Sequence, residues 1–180
     1  NLHWKIARNA ATFLASSYFL FMNLPPITGY PTYDTIAWIS YAFVLSTVLG
    51  AFVMDTPYGR FGSVKWGIRL NPKWGWFLME LPATLAFFPI FFLGKNCFET
   101  VPLILCFIWF VHYGNRGFLF PLSMRVHPDA KKTFNILVVS IGMLVTAIHV
   151  YLNARYFSEI STQYTIDWLS DPRFIIGIII

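Results

Sequence analysis

The chain has 180 residues, of which 57% are hydrophobic and 12% charged, and it carries 19 phenylalanines and a formal net charge of +5. Soluble domains carry about 25% charged residues, so the composition excludes an ordinary soluble domain and implies an integral membrane protein. The positive balance is not a nucleic-acid signal, because no basic stripe interleaves with aromatic positions.

Several uncharged runs approach or exceed the ~20 residues needed to cross a bilayer as a helix. They do not alternate apolar and polar as barrel strands do. The fold class predicted is all-α, a polytopic transmembrane helix bundle forming a single domain over residues 1–180. Cys97 and Cys106 offer neither a disulfide framework nor a Cys-x-x-Cys pair. The histidines His3, His112, His127 and His149 are scattered, so no metal site is expected.

Lys5 and Arg8 precede an apolar run, Ala10 to Leu24, that ends at Pro25-Pro26. No small-x-small cleavage site follows, so the run reads as a short first membrane helix and not as a signal peptide. The next loop, Ile27 to Asp34, holds the turn formers Gly29 and Pro31. The second predicted span is Thr35 to Met54. A basic loop, Asp55 to Lys73, separates it from the third, Trp76 to Leu93, which turns at Gly94-Lys95-Asn96.

The fourth span runs from Phe98 to about Tyr113 and gives way to a second basic loop with Arg116, Arg125, Lys131 and Lys132. The fifth is Thr133 to Ala154. A more acidic loop with Glu159, Asp167 and Asp171 leads to a sixth span that starts at Arg173. Its eight residues cannot cross ~30 Å of hydrocarbon at ~1.5 Å per residue. The sequence is therefore expected to stop short of the natural end, with about six spans here and about seven in the full protein. Ten of the 13 Lys and Arg fall on the N-terminal side and in the loops after spans two and four. By the positive-inside rule these face the cytoplasm.

Glu80 is the only charged residue between Trp76 and Leu93. An ionisable group inside an apolar run is expensive, and its default reading is functional. A neutral, hydrogen-bonded carboxyl in a helix bundle, or one near the membrane surface, is the bland alternative. Glu80 lies 16 residues before the hairpin tip at Asn96, and Tyr113 lies 17 after it, so the two share a depth. A carboxyl and a phenol side by side in low dielectric can polarise a carbonyl. They can equally be a structural hydrogen bond between helices.

Tyr113 sits in the run His112-Tyr113-Gly114-Asn115-Arg116. Arg116 and Arg125 stand where a phosphate arriving from the cytoplasm would meet the membrane, and the guanidinium fork suits phosphate. Snorkelling to lipid headgroups is the alternative. No Gly-x-Gly-x-x-Gly or P-loop is present, so a nucleotide would bind without those devices. Pro82 and Pro89 are expected to kink the third span. His149, mid-span, reads as a helix-packing hydrogen bond before it reads as a proton relay. Trp38, Trp66, Trp74 and Trp168 suit an interfacial belt.

Two motifs in order, Trp76-Phe77-Leu78-x-Glu80-Leu81-Pro82 and Val111-His112-Tyr113-x-x-Arg116-x-Phe118, resemble those of the steroid 5α-reductase family. Thr56-Pro57-Tyr58-Gly59-Arg60, Arg125 with Pro128, and Asp171-x-Arg173-Phe174 support the resemblance, which covers roughly 56–180. It implies a membrane oxidoreductase of steroid and lipid metabolism that binds NADPH from the cytoplasmic side and reduces the Δ4 double bond of 3-oxo steroids.

Glu80 and Tyr113 would hold the 3-keto oxygen, with hydride reaching C5 and a proton C4. Trp76 and Met79 would line the steroid pocket, Met79 standing where some members carry Gln. Tyr58, Arg60, Arg116, Arg125 and His127 are the implied cofactor contacts, His127 replacing a second Arg. The family's later cofactor residues would fall beyond Ile180. A polyprenol precursor or an enoyl thioester is the alternative substrate, and a related membrane methyltransferase would not need the Glu80–Tyr113 pair. A non-catalytic scaffold glued by polar residues is the non-enzymatic alternative. No obligate protein partner is inferred, and bacterial inner membrane and endoplasmic reticulum are both compatible.

Overall fold

The computed structural model describes residues 25–52, 67–128 and 134–179. They belong to two compact units, Asn1–Gly50 and Ala51–Ile180. The predicted first span lies outside the described residues, as does most of the first basic loop.

In the first unit the predicted second span is a helix, α1 (Pro31–Ala51). Proline at the first helical position costs nothing there, because that N–H has no intrahelical partner. Asp34, in the first turn, is buried, and its carboxylate gathers the backbone N–H groups of Ile27, Thr28 and Gly29 at 3.0–3.1 Å. Gly29 supplies the positive φ of 83° that this wrap requires. Trp38 Nε1 donates to the Pro25 carbonyl at 3.0 Å, which ties the prolines to the helix.

The second unit is a bundle of three apolar helices, each long and apolar enough to cross a membrane: Pro72–Phe92, Thr100–Ser123 and Ile136–Ile160. The first is α2 (Pro72–Leu85) continued by α3 (Phe87–Phe92). Asn71 caps α2, its side chain accepting from Lys73 N at 2.9 Å. Pro82 and Pro89 each remove a backbone donor, and the helix breaks at Ala86 between them. Trp109 takes up an acceptor near the break, donating to the Ala83 carbonyl at 2.9 Å.

The second span is α4 (Thr100–Tyr113), then a π-helical stretch, Gly114–Leu119, then α5 (Phe120–Ser123). This corrects the reading of Arg116 as a loop residue. Gly114 keeps right-handed helical angles, φ −59° and ψ −44°. The chain therefore winds past Gly114-Asn115 for two more turns, and Arg116 is carried on the helix. The third span is α6 (Ile136–Arg155), capped by Asn135 onto Leu137 N at 2.8 Å and extended by a second π-helical stretch, Tyr156–Ile160. A 3₁₀ turn, Ile166–Ser170, leads to α7 (Pro172–Ile179).

A two-stranded antiparallel ladder is an addition to the predicted all-α class. Strand β1 (Arg69–Leu70) pairs with β2 (Phe134–Asn135) in the register Arg69↔Asn135 and Leu70↔Phe134. Lys73 Nζ also reaches the Leu122 carbonyl at 2.7 Å, so the two basic connections meet at one end of the bundle. The hairpin tip lies at the other end. There Lys95 N donates to Glu159 Oε2 and Asn96 N to the Ser158 carbonyl, both at 2.8 Å.

Between the ends, Phe87 stacks on Trp109 at 4.2 Å and on Phe91 at 5.6 Å, with Val150 and Ala154 fully buried beside them. Glycine allows the closest helix approaches. A Cβ at Gly75 would strike the Phe134 ring, one at Gly142 the Met79 thioether, and one at Gly117 the Thr84 hydroxyl.

Candidate active site

The site is built where α2 meets the π-helical stretch. Glu80 is 3% exposed on α2. Its Oε1 accepts from Arg116 Nε at 2.8 Å, an ion pair whose arginine side chain is 44% exposed. Gly117 makes this approach possible: without a side chain its backbone lies against Thr84, and the position of a Cβ there is 3.6 Å from Glu80 Cβ. Thr84 Oγ1 turns back onto the Glu80 carbonyl at 2.9 Å. Arg116 also lies over the Trp76 ring, 5.0 Å from its centroid. Trp76 packs edge-on against Phe120, and its Nε1 is buried with no acceptor.

Glu80, Arg116 and Trp76 thus form one cluster. The carboxyl is not a lone charge in an apolar run. It is paired to a guanidinium whose side chain is part-exposed, the arrangement that makes a buried acid tolerable.

Tyr113 lies three residues before Arg116, on the same helical face. It is half-buried, and its ring tilts against Trp109 at 4.4 Å. It lines two hollows. One, of about 430 Å³, is bounded by Thr84, Phe88, Phe110, Asn115 and Phe118. The other, of about 270 Å³, is bounded by Leu105, Trp109, His112, His149 and Phe157. The partner to which Glu80 is hydrogen-bonded is Arg116, one turn beyond the phenol predicted from path length.

Of the other predicted residues, Met79 turns toward Gly142 on α6. Arg125 and His127 lie exposed in the stretch after α5, at the end of the bundle that holds the ladder. Tyr58 and Arg60 lie outside the described residues. The sequence reading missed Trp109, which carries both Tyr113 and His149 on its ring system, the histidine stacked at 5.2 Å. The spacing of four between Trp109 and Tyr113 was the available signal.

A phenol that lines two hollows, with an acid–guanidinium pair one turn away, suits one chemistry well. They can hold an oxygen of a lipophilic ligand and stabilise negative charge as it develops there.

No protein-family model matches the chain. Among curated proteins it is similar to a steroid 5-alpha-reductase of Gossypium hirsutum, 28% identical over 140 residues, covering 78% of this chain and 54% of that protein. It is 30% identical to 3-oxo-5-alpha-steroid 4-dehydrogenase 1 of Macaca fascicularis over 127 residues, 67% of this chain and 44% of the relative. The same enzyme of Homo sapiens is 30% identical over 130 residues, 68% and 46% respectively. The chain spans about half the length of the curated relatives it matches.

Proposed function

The family to which this chain is related is that of the steroid 5α-reductases, and from that premise we propose that it reduces the Δ4 double bond of a 3-oxo steroid, using NADPH. The observation that carries the reading is the pairing of buried Glu80 with Arg116, one turn from Tyr113, whose phenol lines two hollows.

In this reading the 3-keto oxygen rests against Glu80 and Tyr113. The phenol donates a hydrogen bond to it, and the Glu80–Arg116 pair fixes the charge beside it. Both withdraw electron density along the enone, which makes the far carbon electrophilic. Arg116, sharing Oε1, orients the carboxyl and offsets the negative charge that grows on the oxygen. Trp76 and Met79 supply apolar walls. When bound, NADPH supplies the hydride that adds at C5, while a proton is taken up at C4.

Arg125 and His127, with Tyr58 and Arg60, would hold the cofactor phosphates. Their donor chemistry fits, and Arg116 keeps its terminal amino groups for the same purpose while Nε serves Glu80. The basic end of the bundle faces the cytoplasm in this reading, and the cofactor arrives from there. The three apolar helices fit an integral membrane protein.

The test uses full-length protein in nanodiscs with NADPH and testosterone or progesterone. We expect NADPH oxidation with a two-hydrogen gain in product mass. Glu80→Gln and Tyr113→Phe are each expected to lose at least about a hundredfold in kcat, the scale of positioned acid catalysis. Turnover that survives both changes would discard the mechanism and keep the enzyme. Reduction of a prenyl or acyl enone alone would move the substrate class, and silence on every enone would leave a scaffold.

A further inference from the structure

His149 stands mid-span on α6, four residues before Asn153, and the pair forms a device that the proposed chemistry has not used. Asn153 Nδ2 donates to the His149 main-chain carbonyl at 2.8 Å. A carbonyl only accepts, so the amide group facing it is the NH₂ and not the oxygen. The same Nδ2 lies 3.1 Å from His149 Nδ1. Its second hydrogen therefore points at Nδ1, which must accept. A neutral imidazole so held carries its proton on Nε2.

The ring is fixed as well as the tautomer. His149 stacks on Trp109 at 5.2 Å and 29°. Trp109 is itself pinned by its bond to Ala83 and by Phe87 on its ring. Tyr113 leans on the same indole, and the imidazole and phenol centroids are 6.3 Å apart. Both rings line the hollow of about 270 Å³. Among the described residues none accepts from His149 Nε2. Both rings face the same hollow, which has room for a water between them.

We propose that His149 is a positioning residue for Tyr113: its Nε2–H donates to the phenol oxygen through one water in the hollow, and turns the phenol O–H toward the ligand oxygen. The chain then runs from Asn153 to His149 to Tyr113 to the ketone, each donor strengthened by the one behind it. The inference rests on the proposed enone reduction for its last link; the first two links are independent of it.

The experiment uses the full-length protein in nanodiscs and two readouts. In the first, ¹⁵N and ¹H spectra of the His149 ring are expected to show Nδ1 unprotonated and a proton on Nε2 whose resonance moves in Tyr113→Phe. A proton on Nδ1, or an Nε2 proton indifferent to Tyr113→Phe, would overturn the proposal whatever the activity. In the second, kcat/KM for testosterone is measured as a double-mutant cycle.

His149→Phe keeps an aromatic ring against Trp109 and removes the donor, and is expected to lose about tenfold, the scale of one neutral hydrogen bond. His149→Gln, which restores an N–H, is expected to recover part of that loss. In a Tyr113→Phe background His149→Phe is expected to change less than about twofold, because the link it serves is gone. Equal losses in both backgrounds would mean that the ring only packs, and would overturn the proposal. Failure of the wild type to reduce any enone would sink the functional reading alone, and the spectra would then decide the Asn153–His149–Tyr113 chain.

Discussion

At the scale of single residues, the arginine on Glu80 decides how the acid is tolerated. Removing one partner of a buried pair leaves an uncompensated charge. Arg116→Leu is therefore expected to destabilise the protein by about 2 kcal/mol, below the ~3–5 of fully buried pairs because Arg116 is 44% exposed. Arg116→Leu,Glu80→Gln together should recover most of it, and thermal unfolding in detergent measures both. Asp171 offers a pH test away from the membrane spans. The Arg173 side chain and backbone N–H hold its carboxyl down to about 2. A lowered folded value contributes stability that is present above the ordinary carboxylate range near ~3.9 and is lost as pH falls toward 2. Carboxyl ¹³C titration should find that midpoint, moved toward the usual range in Arg173→Gln. Sequence alone singled out Glu80 and placed Tyr113 near it. It could not show which of Tyr113 and Arg116 takes the carboxylate, because a one-turn difference depends on helix continuation past Gly114.

At the scale of elements, uncharged length is a strong signal, and the helices of the third and fifth predicted spans begin within a few residues of where they were read. Their continuations were not legible. The stretch Gly114-Asn115 has the composition of a turn, yet it keeps helical angles, and the π-helical register depends on packing against α2. Gly117 is the residue on which that packing turns. Gly117→Ala is expected to cost about 1–3 kcal/mol through the clash with Thr84, the usual scale of overpacking. Gly142→Ala should cost less, since the atoms it meets belong to the unbranched, adaptable Met79 side chain. Chemical unfolding of the two variants compares them directly, and equal losses would contradict the assignment. The β1–β2 ladder was invisible for another reason: two residues have no periodicity to read.

At the scale of the whole molecule, the separation of a basic end from the Gly94–Asn96 tip gives a topological expectation. With Cys97 and Cys106 replaced by Ala, a cysteine at Asn96 should react with an impermeant maleimide from outside the cell or the lumen. One at Arg125 should react only after the cytoplasmic side is opened. Labelling of both from one side would reverse the antiparallel reading. The basic loops could be placed together from charge alone, whereas the ladder and the Lys73–Leu122 bond that hold them there could not.

The ion pair at the site also has a history in biosynthesis. Glu80 and Arg116 are separated by 36 residues in the chain. At ~5–20 residues per second, α2 leaves the ribosome several seconds before its counter-charge exists. A carboxylate waiting alone near the bilayer opposes insertion by up to about 3 kcal/mol. The first helix of the hairpin therefore lingers at the translocon until the second arrives. Insertion of the two as a unit is the route on which neither charge enters the lipid unaccompanied.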